Sequence, residues 1–373
     1  MQCPKCGSMN HKLRGKMPDK SQRYVCKDCG KSFNERTGIK DMSEDMGIVP
    51  HNVDHGWMKS KNASFHFRNP EFNIKEIEFD KIDWEKIIPG IKPLSYETTE
   101  IKKGIFDRLV YTDTHIGMSI GKYAQYGGEW NEKRVTHQVL EMCLFVIKNR
   151  TSETLIIDDL GDFMDGWDAM TVRKGHSLPQ NMDNREAFDV GIKIKLLILS
   201  ELCQYYKKII VHNVTDDNHS GAFGYIVNEA TKHIAETRFP NVKVINYQKF
   251  MSHYTIGNNT FIICHGKDGI NLKYGLKPKL DPKGLSKIDS YIDKNYLMKR
   301  GGRIEFSKGD SHVEVIDKEF PTKFEYRCYP AFSPSSEWVQ ANFEPKDYGF
   351  YFFNYYGTNR YDTKAYYFNT EDK

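Results

Sequence analysis

Five short polar elements, nearly all placed just after an apolar run, are the residues of this 373-residue sequence whose types and spacing can do chemistry together. Leu109-Val110-Tyr111-Thr112 runs into Asp113-Thr114-His115, and Leu155-Ile156-Ile157 leads to Gly161-Asp162-Phe163-Met164-Asp165. Ile209-Ile210-Val211 leads to Asp217-Asn218-His219, and Phe261-Ile262-Ile263 to His265-Gly266. The fifth, Gly309-Asp310-Ser311-His312, precedes Val313-Glu314-Val315. Polar groups at the carboxyl ends of neighbouring strands converge in the crevice where open α/β sheets bind substrate. Singly, each element reads as a turn or a cap; five in succession are hard to assign to turn chemistry alone.

A second constellation lies at the amino terminus, where Cys3-Pro4-Lys5-Cys6 and Cys26-Lys27-Asp28-Cys29 form two C-x2-C pairs. Each pair can chelate from a tight knuckle, and four soft thiolates suit one tetrahedral structural Zn²⁺. Residues 1–40 hold ten Lys or Arg against three acids and few aliphatic side chains, so this basic module needs such a staple to fold. The remaining cysteines, Cys143, Cys203, Cys264 and Cys328, stand singly among apolar residues and read as core.

The elements that position these groups follow from the hydrophobic pattern. Composition is globular, with 39% hydrophobic, 28% charged and 13% aromatic residues, which excludes a disordered, collagen-like or coiled-coil chain. No run approaches the 18 or so apolar residues of a membrane span, and the start has no apolar core of a signal peptide, so no membrane association and a cytoplasmic location are expected. From Ile105 onward short apolar runs alternate with amphipathic stretches, the pattern of a layered α/β domain. Strands are expected at Leu109–Thr112, Leu155–Asp158, Lys208–Val214 and Val242–Ile245, with a hairpin from Tyr254 to Cys264 turning at Gly257-Asn258-Asn259. Helices are expected at Asn131–Lys148, Arg185–Tyr206 and Ala222–Thr237, and a β-rich aromatic region after Lys308. The expected division is a zinc ribbon at 1–40, a connector at 41–103 with short strands around Ala63–Phe67, and a catalytic domain at 104–373.

With its five elements in this order, the chain from roughly Ile105 to Asp317 resembles the calcineurin-like metallophosphoesterases, whose pattern is D-x-H, G-D-x-x-D, G-N-H-D/E, H and G-H-x-H. The nucleases of that superfamily, including double-strand-break repair exonucleases, are nearest in flavour, and Lys174 to Met182 is similar to a phage-encoded branch. The resemblance implies a four-layer αββα sandwich. It also implies one ion held by Asp113, His115, Asp162 and His312, and another by Asp162, Asn218, His265 and the Asp310 position, with Asp162 bridging. His219 would stabilise the transition state or protonate the leaving oxygen, with Asp165 orienting it or a ligand. Two divalent ions about 3.5–4 Å apart stabilise in-line attack at phosphorus. The mixed donor set favours Mn²⁺, with Fe²⁺ or Zn²⁺ as alternatives. Two departures stand out: Asp217 and Ser220 replace the glycine and the trailing acid of the third motif, and Asp310 replaces a histidine of the last. Gly166 stands where a phosphoprotein phosphatase has arginine.

The cysteine text is similar to zinc ribbons of transposases and phage proteins, which implies nucleic-acid binding. Lys267 to Arg303 adds ten basic residues against four acids between two motifs, a run able to track a phosphate backbone. Arg173, His176 and Asn181 follow the second motif and are candidate phosphate or sugar contacts. The expected function is a two-metal phosphodiesterase acting on nucleic acid, DNA first, in a bacterial host cell if the chain is phage-encoded. The rivals are a non-catalytic nucleic-acid or polymerase-binding regulator and a nucleotide or RNA phosphodiesterase.

Overall fold

The computed structural model describes residues 2–16, 22–34, 55–60, 63–68, 104–125, 128–172, 177–269, 275–344 and 346–368. The chain divides into two compact units, Met1–Pro89 and Gly90–Lys373. In the first, β1 (His11–Lys16), β2 (Gln22–Cys26) and β3 (Ser32–Asn34) form an antiparallel sheet in that order. Cys3, Cys26 and Phe33 form a buried cluster under this sheet, with Tyr24 and Cys29 against them. A hairpin of β4 (His55–Ser60) and β5 (Ala63–Arg68) occupies the place of the expected short strands.

The second unit is built on two sheets. Parallel strands β6 (Phe106–Tyr111), β7 (Thr154–Asp159), β8 (Lys208–Val214) and β9 (Val242–Tyr247) match the expected runs. Between them run α1 (Glu132–Lys148), α2 (Asn184–Leu202) and α3 (Ala222–Arg238). Asn131 is an N-cap rather than a helical residue, its side chain accepting from the Arg134 N–H, and Asp183 with Glu186 closes a capping box on α2. The aromatic tail completes the sheet: β15 (Gly349–Tyr355) pairs antiparallel with β6, and β16 (Tyr361–Tyr367) with β15, giving the order β16-β15-β6-β7-β8-β9.

The other sheet comprises β10 (Ser252–Ile256), β11 (Asn259–Cys264), β12 (Arg303–Lys308), β13 (Val315–Asp317) and β14 (Glu325–Cys328) in the order β10-β11-β12-β14-β13. Alternation along the strands sets the layers. Phe106, Val110, Ile156 and Leu160 point to one face of the first sheet and meet Phe261 and Ile263 of the second in one core. Tyr111, Ile157, Val211 and Val244 point to the opposite face and pack on Ile198 and Leu199 of α2. The outer face of the second sheet, including Ile262, Phe306 and Tyr326, is covered by Ile288 and Ile292 of α4 (Pro282–Lys294). The result is the four-layer αββα sandwich. Each fully buried aliphatic or aromatic side chain contributes about 1.5–3 kcal/mol, so these three apolar seams hold the strand ends in register. No helix among the described residues is long and apolar enough to cross a membrane.

Candidate metal centre

The loops after β6 and β7 run side by side past their strands. Asp113 N–H donates to the Gly161 carbonyl at 3.0 Å, His115 N–H to that of Asp162 at 3.0 Å, and Asp165 N–H to that of Ile116 at 3.0 Å. Backbone pairing of these two loops brings the first two motifs together. Gly161 has φ +102°, and a Cβ there would lie 3.0 Å from His265 Nδ1. Gly309 lies closer still, since its Cβ would meet Thr112 Oγ1 at 2.0 Å, so only glycine lets the fifth motif approach the first.

Asp113, His115, Asp162, Asp310 and His312 all have positive φ, between 48° and 70°. They are five of the eight non-glycine residues so placed among the described residues. Such conformations cost about 1–3 kcal/mol each and gather at functional sites.

Three groups of donors converge here: Asp113, His115 and His312; Asp113, Asp162 and His265; and His115, Asp165 and His219. In the first, the Nε2 atoms of His115 and His312 are 3.2 Å apart, and Asp113 Oδ1 lies 3.2 Å from His312 Nε2 and 3.8 Å from His115 Nε2. Such edges suit donors about 2.0–2.2 Å from one ion. Asp113 Oδ1 is buried without a hydrogen bond of good geometry, so this donor set fits a divalent metal. In the second group, His265 Nε2 is 2.9 Å from Asp162 Oδ2. Nδ1 of His265 donates to the Leu160 carbonyl at 2.9 Å, which fixes the ring with Nε2 inward. Asp113, not Asp162, is the residue common to these two groups. Asn218, next in sequence to His219, is buried.

His219 and Asp165 come together as expected. His219 Nδ1 is 3.0 Å from the Asp165 carbonyl and 3.4 Å from its Oδ1, which also lies 3.1 Å from His115 Nδ1. Asp165 thus faces both His219 and His115. Burial opposes charge on His219, but Asp162 and Asp165 raise it to about 9. Burial likewise opposes charge on His265, which Asp162 raises to about 10. Burial pushes Asp162 and Asp113 up, yet the imidazoles dominate: His219 and His265 hold Asp162 well below the carboxylate range, and His312 holds Asp113 below it.

Of the substrate candidates, Arg173 and His176 lie outside the described residues. Asn181 donates from Nδ2 to the Trp130 carbonyl at 2.6 Å. Asp310 joins none of the converging groups, and its Oδ1 is 3.0 Å from Lys267 Nζ. At the amino terminus Cys3, Cys6, Cys26 and Cys29 converge, with Sγ pairs 3–29 and 6–26 each 3.6 Å apart. That matches the edge of a tetrahedron with Zn–S near 2.3 Å.

Sequence reasoning passed over Asp217. It is buried and accepts the N–H groups of Asp162 (3.2 Å), His219 (3.2 Å), Ser220 (2.8 Å) and Gly221 (3.2 Å), and the Ser220 hydroxyl. Burial and the neighbouring Asp162 push its carboxyl up to about 7. The two departures of the third motif are thus one device, an aspartate and a serine bonded to each other that pin the loop bearing Asn218 and His219. An Asp three residues before a Ser at a helix start was the available signal.

No family model and no curated protein matches the chain. Solved structures do. A Vps29 variant from Entamoeba histolytica aligns at 10% identity over 70% of this chain and 99% of its own, with TM-score 0.31. YfcE, a phosphoesterase from E. coli, aligns at 13% identity over 66% and 87%, with TM-score 0.31. A predicted phosphoesterase from Streptococcus pneumoniae aligns at 9% identity over 70% and 97%, with TM-score 0.26.

Proposed function

We propose that the chain is a two-metal phosphodiesterase that hydrolyses nucleic acid, DNA first. The observation that carries this reading is the convergence of Asp113, His115 and His312 with Asp162 and His265 at the carboxyl ends of strands from both sheets. Asp113, His115 and His312 would hold one ion, and Asp162, His265 and Asn218 the other, with Mn²⁺ favoured and Fe²⁺ or Zn²⁺ also suited to these donors. When bound, the ions supply Lewis-acid charge that neutralises the phosphoryl oxygens.

The chain's own residues do the rest. His219, with Nδ1 turned to Asp165 and Nε2 3.7 Å from Asp162 Oδ2, is the group placed to protonate a departing oxygen. The cysteine module would hold Zn²⁺, and its exposed Lys12, Arg14 and Lys16 would meet the phosphate backbone, with exposed Lys283, Lys294, Lys299 and Arg300 of the second basic run as another contact. Labelled DNA, RNA and nucleotides incubated with Mn²⁺, with and without chelator, beside Asp162→Ala, test the reading. Chelator-sensitive DNA cleavage that the variant loses supports it. Equal cleavage by both proteins removes the site assignment, and cleavage of nucleotides alone moves the substrate to a small molecule.

A further inference from the structure

Lys267 counts in the sequence as one of ten basic residues in a run, and the fold sets it against a buried aspartate. It follows His265 by two residues and faces Asp310, which precedes His312 by two. Its Nζ is 3.0 Å from Asp310 Oδ1, and the Asp310 N–H donates to Asp113 Oδ2 at 3.1 Å. The ammonium is therefore tethered through one carboxylate to a donor of the metal centre. Gly266, at φ +117°, permits the approach: a Cβ there would lie 2.7 Å from Lys308 Cε and 3.4 Å from Asp310 Cβ.

Two lysines flank Asp310, and they differ. Lys308 is fully buried; its Nζ donates to the Leu276 carbonyl at 2.9 Å and to Ser311 Oγ at 2.8 Å, and lies 3.9 Å from Asp310 Oδ2. The Lys267 side chain is 32% exposed, against 4% for Asp310. An ammonium has three donors and no acceptor, so the open side of Lys267 is matched to an anion. A carboxylate set between two ammoniums is already compensated and does not call for an ion, in keeping with the absence of Asp310 from the converging donor groups.

We infer that Lys267 is the phosphate-binding cation of this centre, and that Asp310 is a positioning residue for Lys267 rather than a metal ligand. The ligand class is the phosphoryl group of a phosphodiester, an identification that rests on the proposed function. The test uses the full chain loaded with Mn²⁺ and reads two quantities without turnover: inorganic phosphate binding by calorimetry and bound metal by elemental analysis. Lys267→Met should weaken phosphate binding about tenfold or more, the worth of a charge-assisted hydrogen bond, with metal content unchanged. Lys267→Arg should restore binding to within about threefold, because it keeps the charge. Asp310→Asn should weaken phosphate binding in the same direction and keep its metal. In turnover, Lys267→Met should raise KM more than it lowers kcat. Loss of a metal equivalent in Asp310→Asn, wild-type phosphate affinity in Lys267→Met, or no phosphate binding by the wild type each overturns the inference. A metal-loaded wild type that binds phosphate and cleaves no phosphoester would overturn the hydrolase reading and leave this assignment standing.

Discussion

Two clusters of buried charge share the same pair of sheets, one in the strand bodies and one at the strand ends. Between the sheets, Arg108 on β6 lies 2.6 Å from Asp158 on β7 and 2.5 Å from Glu305 on β12, all fully buried. Glu305 also meets Arg303; Glu325 takes Arg303 at 2.7 Å and Arg327 at 2.5 Å, and the Tyr254 hydroxyl donates to Asp158 at 2.7 Å. Three guanidiniums answer three carboxylates there, each charge with its partner built in. At the strand ends, the buried carboxylates Asp113, Asp162 and Asp165 share their donor groups with imidazoles, whose charge depends on pH. Histidines register the difference. His212, stacked on Tyr254 near Arg108, is lowered to about 3 by burial and by the guanidinium, whereas His219 and His265 are raised. The first cluster is finished by folding alone; the second is arranged for cations that come from outside.

The comparison breaks most decisively at Arg108. Arg108→Met leaves Asp158 without its guanidinium and takes one of three from Glu305, and should cost about 3–5 kcal/mol of stability by urea denaturation. A smaller loss indicates that water or a third cation reaches the seam. Chelation comes next. A protein holding its ions at about a hundred times their Kd gains about 2.7 kcal/mol from them, so chelator should lower the wild-type melting temperature. The same drop should appear in Glu325→Gln and shrink in Asp162→Asn, because of these two clusters the one at the strand ends is the one that gathers metal donors.

A smaller effect is a pH slope. His212 stays neutral in the fold to about 3 while the unfolded residue titrates at 6.5, so the unfolded chain takes up a proton that the fold refuses. The stability it contributes is present above 6.5 and lost as pH falls from there towards 3. His212→Gln should flatten that slope in urea midpoints measured at pH 7 and pH 4. The smallest change concerns the third-motif loop. Ser220→Ala removes one hydroxyl from Asp217 and should cost about 1 kcal/mol, with kcat falling only a few-fold and metal content constant.

Legibility in the sequence followed the range of the interactions. The strands β6 to β9 and the three helices between them show as local period and caps, so their bounds differ from expectation by only a few residues at most ends. The motif residues were legible because each follows an apolar run; their meeting through paired loops was not, since parallel loop-to-loop hydrogen bonds leave no local signal. Lys267 and Asp217 were hidden for a similar reason: one sat within a charge run, the other looked like a missing glycine. Arg108, Asp158 and Glu305 sit mid-strand with partners from both sheets, and nothing in a single strand announces them. The β-rich tail was expected, but its docking beside β6, the first strand of the domain, rests on pairing across most of the domain's length.

That docking has a consequence for synthesis. Translation delivers β6 early and β15 near the end, so until residues 349–355 leave the ribosome the outer edge of β6 offers unmatched amides and carbonyls to whatever lies nearby. The Asp107 carboxylate, buried in the finished molecule, meanwhile lacks the Asn354 amide that binds it at 2.8 Å. A nascent chain stalled before β15 is therefore a natural client for chaperones, and the two halves of this sheet become one body only after elongation has passed the tail.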